Sequence, residues 1–235
     1  MAATTTTTTT STAIITGSGR GIGREAALML AKKGANVVVC SRTQSEIDET
    51  VRDIQKFHAR VIGVKCDVGM ASDVDMLVGR TVEEFGGIDI LVNNAAVLFM
   101  KRHSDTAEKE WDQTINSNLK SAFLCCRAVL PYMKEKGGTI INVSSGAGKV
   151  GYENLSAYCA SKFGMMGLTA SLAWETSGTR VMAICPGNVD TAMQDADPEY
   201  RRANKASMLT AGQVAAKIVE MIYGNNYASG QSVDI

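Results

Sequence analysis

The sequence predicts an α/β fold, a single doubly wound domain with a mainly parallel seven-stranded sheet and helices on both faces. Two observations carry the prediction. Short apolar runs rich in β-branched residues alternate with longer amphipathic stretches, and strands joined through helices need crossover connections, which make neighbouring strands parallel. The runs Val37-Val38-Val39 and Ile90-Leu91-Val92 are continuously apolar, as strands covered on both faces must be.

The elements follow in order. Met1 to about Thr10 is a threonine tract, expected to be a low-complexity arm (1–10), because polar tracts at termini rarely pack. The remainder, 11–235, is expected to form the domain. Strands are predicted at 12–16, 36–41, 61–66, 88–93, 139–144, 180–185 and 231–235. Helices are predicted at 21–33, 44–58, 71–85, 108–136, 155–176 and 211–223, from apolar spacing of helical period.

Composition narrows the function. Lys+Arg and Asp+Glu are both 24, giving zero formal net charge. Neither a basic excess for nucleic acid nor a polybasic run for a membrane surface is present. The six cysteines lack disulfide-module spacing and a Cys-x-x-Cys pair, so they read as small hydrophobes. His58 and His103 stand far apart without a ligand pattern, so no metal is expected. No apolar run reaches the roughly 20 residues of a membrane span and no signal-peptide core is visible. A cytoplasmic protein with a small-molecule site is the expectation.

The first predicted strand runs into Thr16-Gly17-Ser18-Gly19-Arg20-Gly21-Ile22-Gly23 and then a helix. Glycines there let the chain turn tightly and let a pyrophosphate approach amide N–H groups at a helix N-terminus. This is the Rossmann-type arrangement for a dinucleotide. In such folds an acid at the end of the second strand holds the ribose 2′-hydroxyl of NAD. Here that strand ends Cys40-Ser41-Arg42. A carboxylate would repel a 2′-phosphate, whereas a guanidinium can bind it bidentately. Arg42, with Arg20 from the glycine turn, therefore points to NADP(H); the alternative is that both are solvated surface charges.

Farther on, Ser145 precedes Tyr158 by thirteen positions, and Tyr158-Cys159-Ala160-Ser161-Lys162 places a phenol and an ammonium four residues apart. On a helix they share a face. A phenol with pKa near 10 is a poor base at neutral pH, and shifting it by about 3 units takes roughly 4 kcal/mol of differential interaction. A neighbouring ammonium acts in that direction.

Taken in order, these motifs resemble the short-chain dehydrogenase/reductase family: Thr16-Gly17-x-x-x-Gly21-Ile22-Gly23, Asp67, Asn93-Asn94-Ala95, Asn118 within Ser117-Asn118-Leu119, Ser145 with Tyr158 and Lys162, and Pro186-Gly187 with Thr191. The resemblance covers nearly the whole chain after the threonine tract and implies roles for particular positions. Tyr158 would be the general acid for carbonyl reduction and the base in reverse. Lys162 would hold the nicotinamide ribose and lower the tyrosine pKa. Ser145 would hydrogen-bond the substrate oxygen, and Asn118 would support a water in the proton relay. The implied cofactor contacts are Gly17, Ser18, Gly19, Arg20, Gly21, Ile22, Gly23, Ser41, Arg42, Asp67, Val68, Asn94, Ala95, Tyr158, Lys162, Pro186, Gly187, Val189 and Thr191. Asn93 would line the cleft, and for both Asn93 and Asn94 the alternative is a structural role bracing the central sheet.

Three positions depart from the family pattern. Ala96 stands where many members have glycine, Val181-Met182-Ala183 replaces a Val-Asn-x segment, and the C-terminal residues Ser232-Val233-Asp234-Ile235 lack the usual glycine tail. The last leaves subunit geometry open.

The function expected from the resemblance is NADPH-dependent reduction of a ketone to a secondary alcohol. The substrate expected first is a 3-oxoacyl thioester of acyl-carrier protein or CoA, as for 3-oxoacyl-acyl-carrier-protein and acetoacetyl-CoA reductases. The cations Arg201, Arg202 and Lys205 in the loop 193–208 would meet a phosphopantetheine or an acidic carrier; the alternative is a solvated lid. Competing functions are a dehydrogenase of a sugar, steroid or other secondary alcohol, and, more remotely, a non-catalytic NADP(H)-binding sensor. A homo-oligomer, dimer or tetramer, is expected on family analogy.

Overall fold

The computed structural model describes residues 10–133 and 137–235. Apart from Thr10, the threonine-rich arm lies outside the described residues, as does the end of the helix predicted over 108–136.

Seven strands form one parallel sheet: β1 (Thr12–Thr16), β2 (Asn36–Ser41), β3 (Val61–Lys65), β4 (Ile90–Asn93), β5 (Gly138–Val143), β6 (Thr179–Cys185) and β9 (Ser232–Asp234), in spatial order β3-β2-β1-β4-β5-β6-β9. Two short strands, β7 (Val189–Asp190) and β8 (Leu209–Thr210), pair separately. The helices are α1 (Gly21–Lys32), α2 (Gln44–Gln55), α3 (Ala71–Phe85), α4 (Glu108–Ile115), α5 (Ser121–Met133), α6 (Ser156–Glu175), α7 (Pro198–Asn204) and α8 (Ala211–Tyr223). None of the described helices is long and apolar enough to cross a membrane.

Strand alternation divides the core into two layers. Ile15, Val37, Val39, Val92 and Ile184 point to one face and pack against α1, α2 and α8; Ile14, Val38, Leu91, Ile140 and Val181 point to the other and pack against α3 and α5. A strand sends successive side chains to opposite faces, so the apolar run Val37-Val38-Val39 serves both layers. Arg180 of β6 donates to the Gly224 carbonyl at 2.9 Å and to the Ile222 carbonyl, satisfying the end of α8.

The strand order reverses between β1 and β4, every strand staying parallel, and the carboxyl ends of those two strands leave a crevice where doubly wound folds bind ligands. The site stands there.

The structure corrects several element bounds. The predicted helix over 108–136 is two helices separated by a π-helical turn, Asn116–Lys120, which holds one residue more per turn than the flanking α-helix. The second predicted helix stops at Gln55, short of His58, whose φ of 56° is left-handed and cannot continue an α-helix. β4 begins at Ile90 instead of 88. α7 and the β7–β8 pair, which lack a long apolar period, were not predicted.

Candidate active site

At the end of β1 the backbone turns through Gly17 with φ +64° and enters α1 at Gly21 with φ +58°, conformations that only glycine adopts freely. A Cβ on Gly17 would lie 2.9 Å from the Ala95 Cα. The turn is braced from β4: the Thr16 hydroxyl accepts from the Asn94 and Ala95 N–H groups at 2.9 and 3.0 Å, and the Asn94 amide donates to the Thr16 carbonyl at 2.9 Å.

The turn opens onto a cleft of about 1310 Å³. Gly17, Arg20, Gly21, Ile22, Ser41, Arg42, Asp67, Val68, Asn94 and Ala95 line it from the ends of β1–β4 and the segments after them. Ser145, Tyr158, Lys162, Pro186, Gly187, Val189 and Thr191 line it from the segment after β5, from α6 and from the segment after β6, with Thr191 Cγ2 3.6 Å from where a Cβ on Gly21 would lie. The bare glycine backbone at a helix start, with cations beside it, fits a phosphorylated dinucleotide.

The remaining predicted residues take other places. Ser18 is fully buried; its hydroxyl donates to the Ile15 carbonyl at 2.7 Å and accepts from the Cys40 N–H at 3.0 Å, tying the turn to β2. Gly23 packs against the Gly17 carbonyl, where a Cβ would come within 2.6 Å. Gly19 packs under Glu46. Asn93 braces the sheet, its amide donating to Asn142 Oδ1 on β5 at 2.8 Å.

β5 runs into Ser144 and Ser145. The Ser144 hydroxyl faces α6 and donates to the Lys162 carbonyl at 3.2 Å. Ser145 Oγ accepts from the Ala147 N–H at 3.1 Å, which fixes the oxygen and leaves its hydrogen to be donated elsewhere. A Cβ on Gly148 would lie 2.8 Å from the Lys162 carbonyl oxygen, so this loop and α6 touch through bare backbone.

Tyr158 and Lys162 stand one turn apart on α6, with the ammonium 5.5 Å from the tyrosine ring centre. Lys162 is 2% exposed, and its ammonium donates to the Val143 carbonyl at 2.7 Å. Burial brings its pKa down to about 8, opposed by the neighbouring Cys185. Burial likewise pushes the Tyr158 phenol up to about 12, opposed by the Ser145 hydroxyl. One of the lysine's three N–H groups goes to a carbonyl, and loss of solvent dominates the phenol. A neutral phenol is the form that donates a proton.

Asn118 sits within the π-helical turn and is fully buried. Its amide accepts from the Val97 N–H at 2.8 Å and donates to the Val97 carbonyl at 3.0 Å and to Ser161 Oγ at 3.1 Å. Ser161 donates in turn to the Tyr158 carbonyl at 2.7 Å. Asn118 thus reaches the tyrosine's backbone through α6 and does not line the cleft.

The lid after Thr191 carries residues that sequence reasoning missed or misplaced. Met193 brings its thioether to 4.0 Å from the Tyr158 hydroxyl. Arg201 pairs with Asp190 at 2.7 Å and with Asp195, and Lys205 pairs with Asp190 at 3.4 Å. These two cations answer Asp190 of β7 and Asp195, and like Arg202 they are not on the cleft wall. Glu46 lines the cleft beside Ser41 and Arg42; no strand-end motif announces it, because the first turn of α2 carries it back.

The chain matches the short chain dehydrogenase family over residues 11–202. It is 32% identical to the 3-oxoacyl-acyl-carrier-protein reductase of Thermotoga maritima, with 94% of each chain covered. It is 36% identical to a 3β-hydroxysteroid dehydrogenase of Mediterraneibacter gnavus, covering 83% of this chain and 72% of that one. The crystal structure of a short-chain type dehydrogenase/reductase from Mycobacterium marinum superposes with a TM-score of 0.91 at 26% identity, covering 96% of this chain and 93% of that one. With its glycine turn, parallel sheet and Ser145, Tyr158 and Lys162 on one cleft, the chain belongs to the short-chain dehydrogenase/reductase family of oxidoreductases.

Proposed function

We propose that this protein reduces a ketone to a secondary alcohol with NADPH, using Tyr158 as its general acid. The observation that carries the reading is one continuous cleft, lined by a glycine turn and two arginines and by Ser145, Tyr158 and Lys162. When bound, the reduced nicotinamide supplies the hydride. Gly17, Gly21 and the backbone of the turn hold the pyrophosphate, and Arg20, Ser41 and Arg42 hold the 2′-phosphate. Asp67, Val68, Asn94 and Ala95 flank the adenosine, and Pro186, Gly187, Val189 and Thr191 the nicotinamide side. Lys162 holds the adjacent ribose.

The chain's own chemistry then follows. Ser145, with its oxygen already fixed by Ala147, donates to the carbonyl oxygen and stabilises the charge developing there. Tyr158, kept neutral by burial, gives that oxygen its proton. Asn118 and Ser161 hold the α6 backbone at the tyrosine.

The substrate named by the relative from Thermotoga maritima is a 3-oxoacyl thioester. A second reading, an uncharged steroid or other secondary alcohol, is favoured by a specific observation: Arg201 and Lys205 are committed to Asp190, and Leu98, Phe99, Met100, Leu155 and Met193 line the cleft. NADPH oxidation across a panel of 3-oxoacyl thioesters, steroid ketones and small cyclic ketones, with NADP+ reduction by the corresponding alcohols, separates the two. Turnover of thioesters supports the first reading, and turnover confined to neutral ketones replaces it with the second. A homo-oligomer completes the proposal, with Trp111, Phe123, Phe163 and Trp174 exposed on α4, α5 and α6; sedimentation as a monomer would remove it.

A further inference from the structure

A carboxylate stands at the glycine-turn end of the cleft. Glu46 lies in the first turn of α2 and lines the same cleft wall as Arg20, Ser41 and Arg42. Its Oε2 accepts from the Ser41 hydroxyl at 3.2 Å, and its Oε1 lies 3.8 Å from Arg20 Nε. The contact is enforced from below: a Cβ on Gly19 would lie 2.7 Å from the Glu46 Cβ and 2.8 Å from Oε2. The carboxylate therefore rests on the bare face of the glycine turn. Its side chain is 29% exposed and that of Arg20 71%.

We propose that Glu46 is a cofactor-discriminating residue, whose carboxylate competes with a 2′-phosphate for Ser41 and Arg20 and tempers the preference that Arg42 confers. The inference rests on the reading that the 2′-phosphate of NADPH binds at this end. A phosphate placed there meets two cations and one carboxylate. Two of the groups that would hold it, Ser41 and Arg20, are already answered by Glu46. Like charges at close range oppose each other, and the opposition is stronger where solvent is partly excluded. An unesterified ribose carries no such charge, and a carboxylate is the group that ordinarily accepts from its 2′-hydroxyl. The chain thus carries the acid whose absence at the end of β2 pointed to NADP(H), displaced into α2 and set against a guanidinium. NADH is accordingly admitted beside NADPH, with selectivity smaller than two unopposed arginines would give.

Isothermal titration of adenosine 2′,5′-bisphosphate and adenosine 5′-monophosphate into the wild type, Glu46→Gln and Arg42→Ala tests this without turnover. Glu46→Gln keeps a polar side chain for Ser41 and removes the charge. It should tighten the bisphosphate by about tenfold and leave the monophosphate unchanged or about twofold weaker. Unchanged bisphosphate affinity in Glu46→Gln, with Arg42→Ala still weakening it, overturns the role of Glu46 and leaves the NADPH reading standing. Bisphosphate affinity indifferent to Arg42→Ala overturns the NADPH reading itself.

Discussion

The two ends of the cleft are made of opposite materials. At the glycine-turn end, Arg20 is 71% exposed on its side chain and faces a partner 3.8 Å away. Exposed pairs of that kind are worth about 0–1 kcal/mol and weaken with salt. At the tyrosine end, Lys162 is 2% exposed and its ammonium is held by a carbonyl 2.7 Å away. There, loss of solvent moves the lysine down to about 8 and the tyrosine up to about 12. Under the proposed function the difference separates two tasks. Which dinucleotide enters is set by charges in water, open to change by single substitutions. Which proton moves is set by groups that cannot be exchanged without exposing or stranding their neighbours.

Ser145 carries a large expected loss. Ser145→Ala should lower turnover by about 100-fold or more, the usual cost of losing one donor to a developing oxyanion, while NADPH affinity stays unchanged. Rates measured beside a direct NADPH titration check this; equal losses in both would place Ser145 in binding.

Lys162→Met sharpens the contrast next. In the dinucleotide-free protein Lys162 has a pKa lowered from 10.5 to about 8, so the unfolded chain binds its proton more tightly than the native one. Native stability therefore gains as pH rises from about 8 to 10.5. Tyr158, raised from 10.0 to about 12, acts in the opposite sense: its contribution is present below pH 10 and lost as pH rises toward 12. At pH 7, Lys162→Met should stabilise the free protein by on the order of 2 kcal/mol, less what the Val143 carbonyl loses, while turnover collapses. Calorimetric melting at pH 7 and pH 10 checks the sign, with the gain shrinking at the higher pH.

At the exposed end, Arg42→Ala should weaken NADPH by about tenfold at moderate salt and leave NADH unmoved. Fluorescence titrations of both cofactors at low and high ionic strength measure it; the loss should shrink as salt rises.

Much of this division is legible in the amino acids. The apolar runs of β1, β2 and β4, the glycine turn and the Tyr158–Lys162 spacing are local patterns, and local patterns survive folding. What sequence leaves hidden depends on distant backbone. Ser18 and Gly23 share the glycine motif with Gly17 and Gly21, yet their surroundings, Cys40 and the Gly17 carbonyl, turn them to bracing. The π-helical turn at Asn118 has no signature of its own and exists where Val97 and Ser161 can engage its amide. Arg201 looked available for an acidic substrate because the folding of Asp190 against it crosses eleven residues. Glu46 returns to the cleft only through the geometry of α2 on the turn.

Tyr158→Phe provides the most direct measurement, in a single turnover with saturating NADPH and a ketone that the wild type reduces. The phenylalanine variant should bind NADPH normally and reduce the ketone about 10³-fold more slowly, while the wild-type rate falls as high pH removes the tyrosine proton. Reduction by the variant at the wild-type rate would contradict the assignment of Tyr158 as the acid.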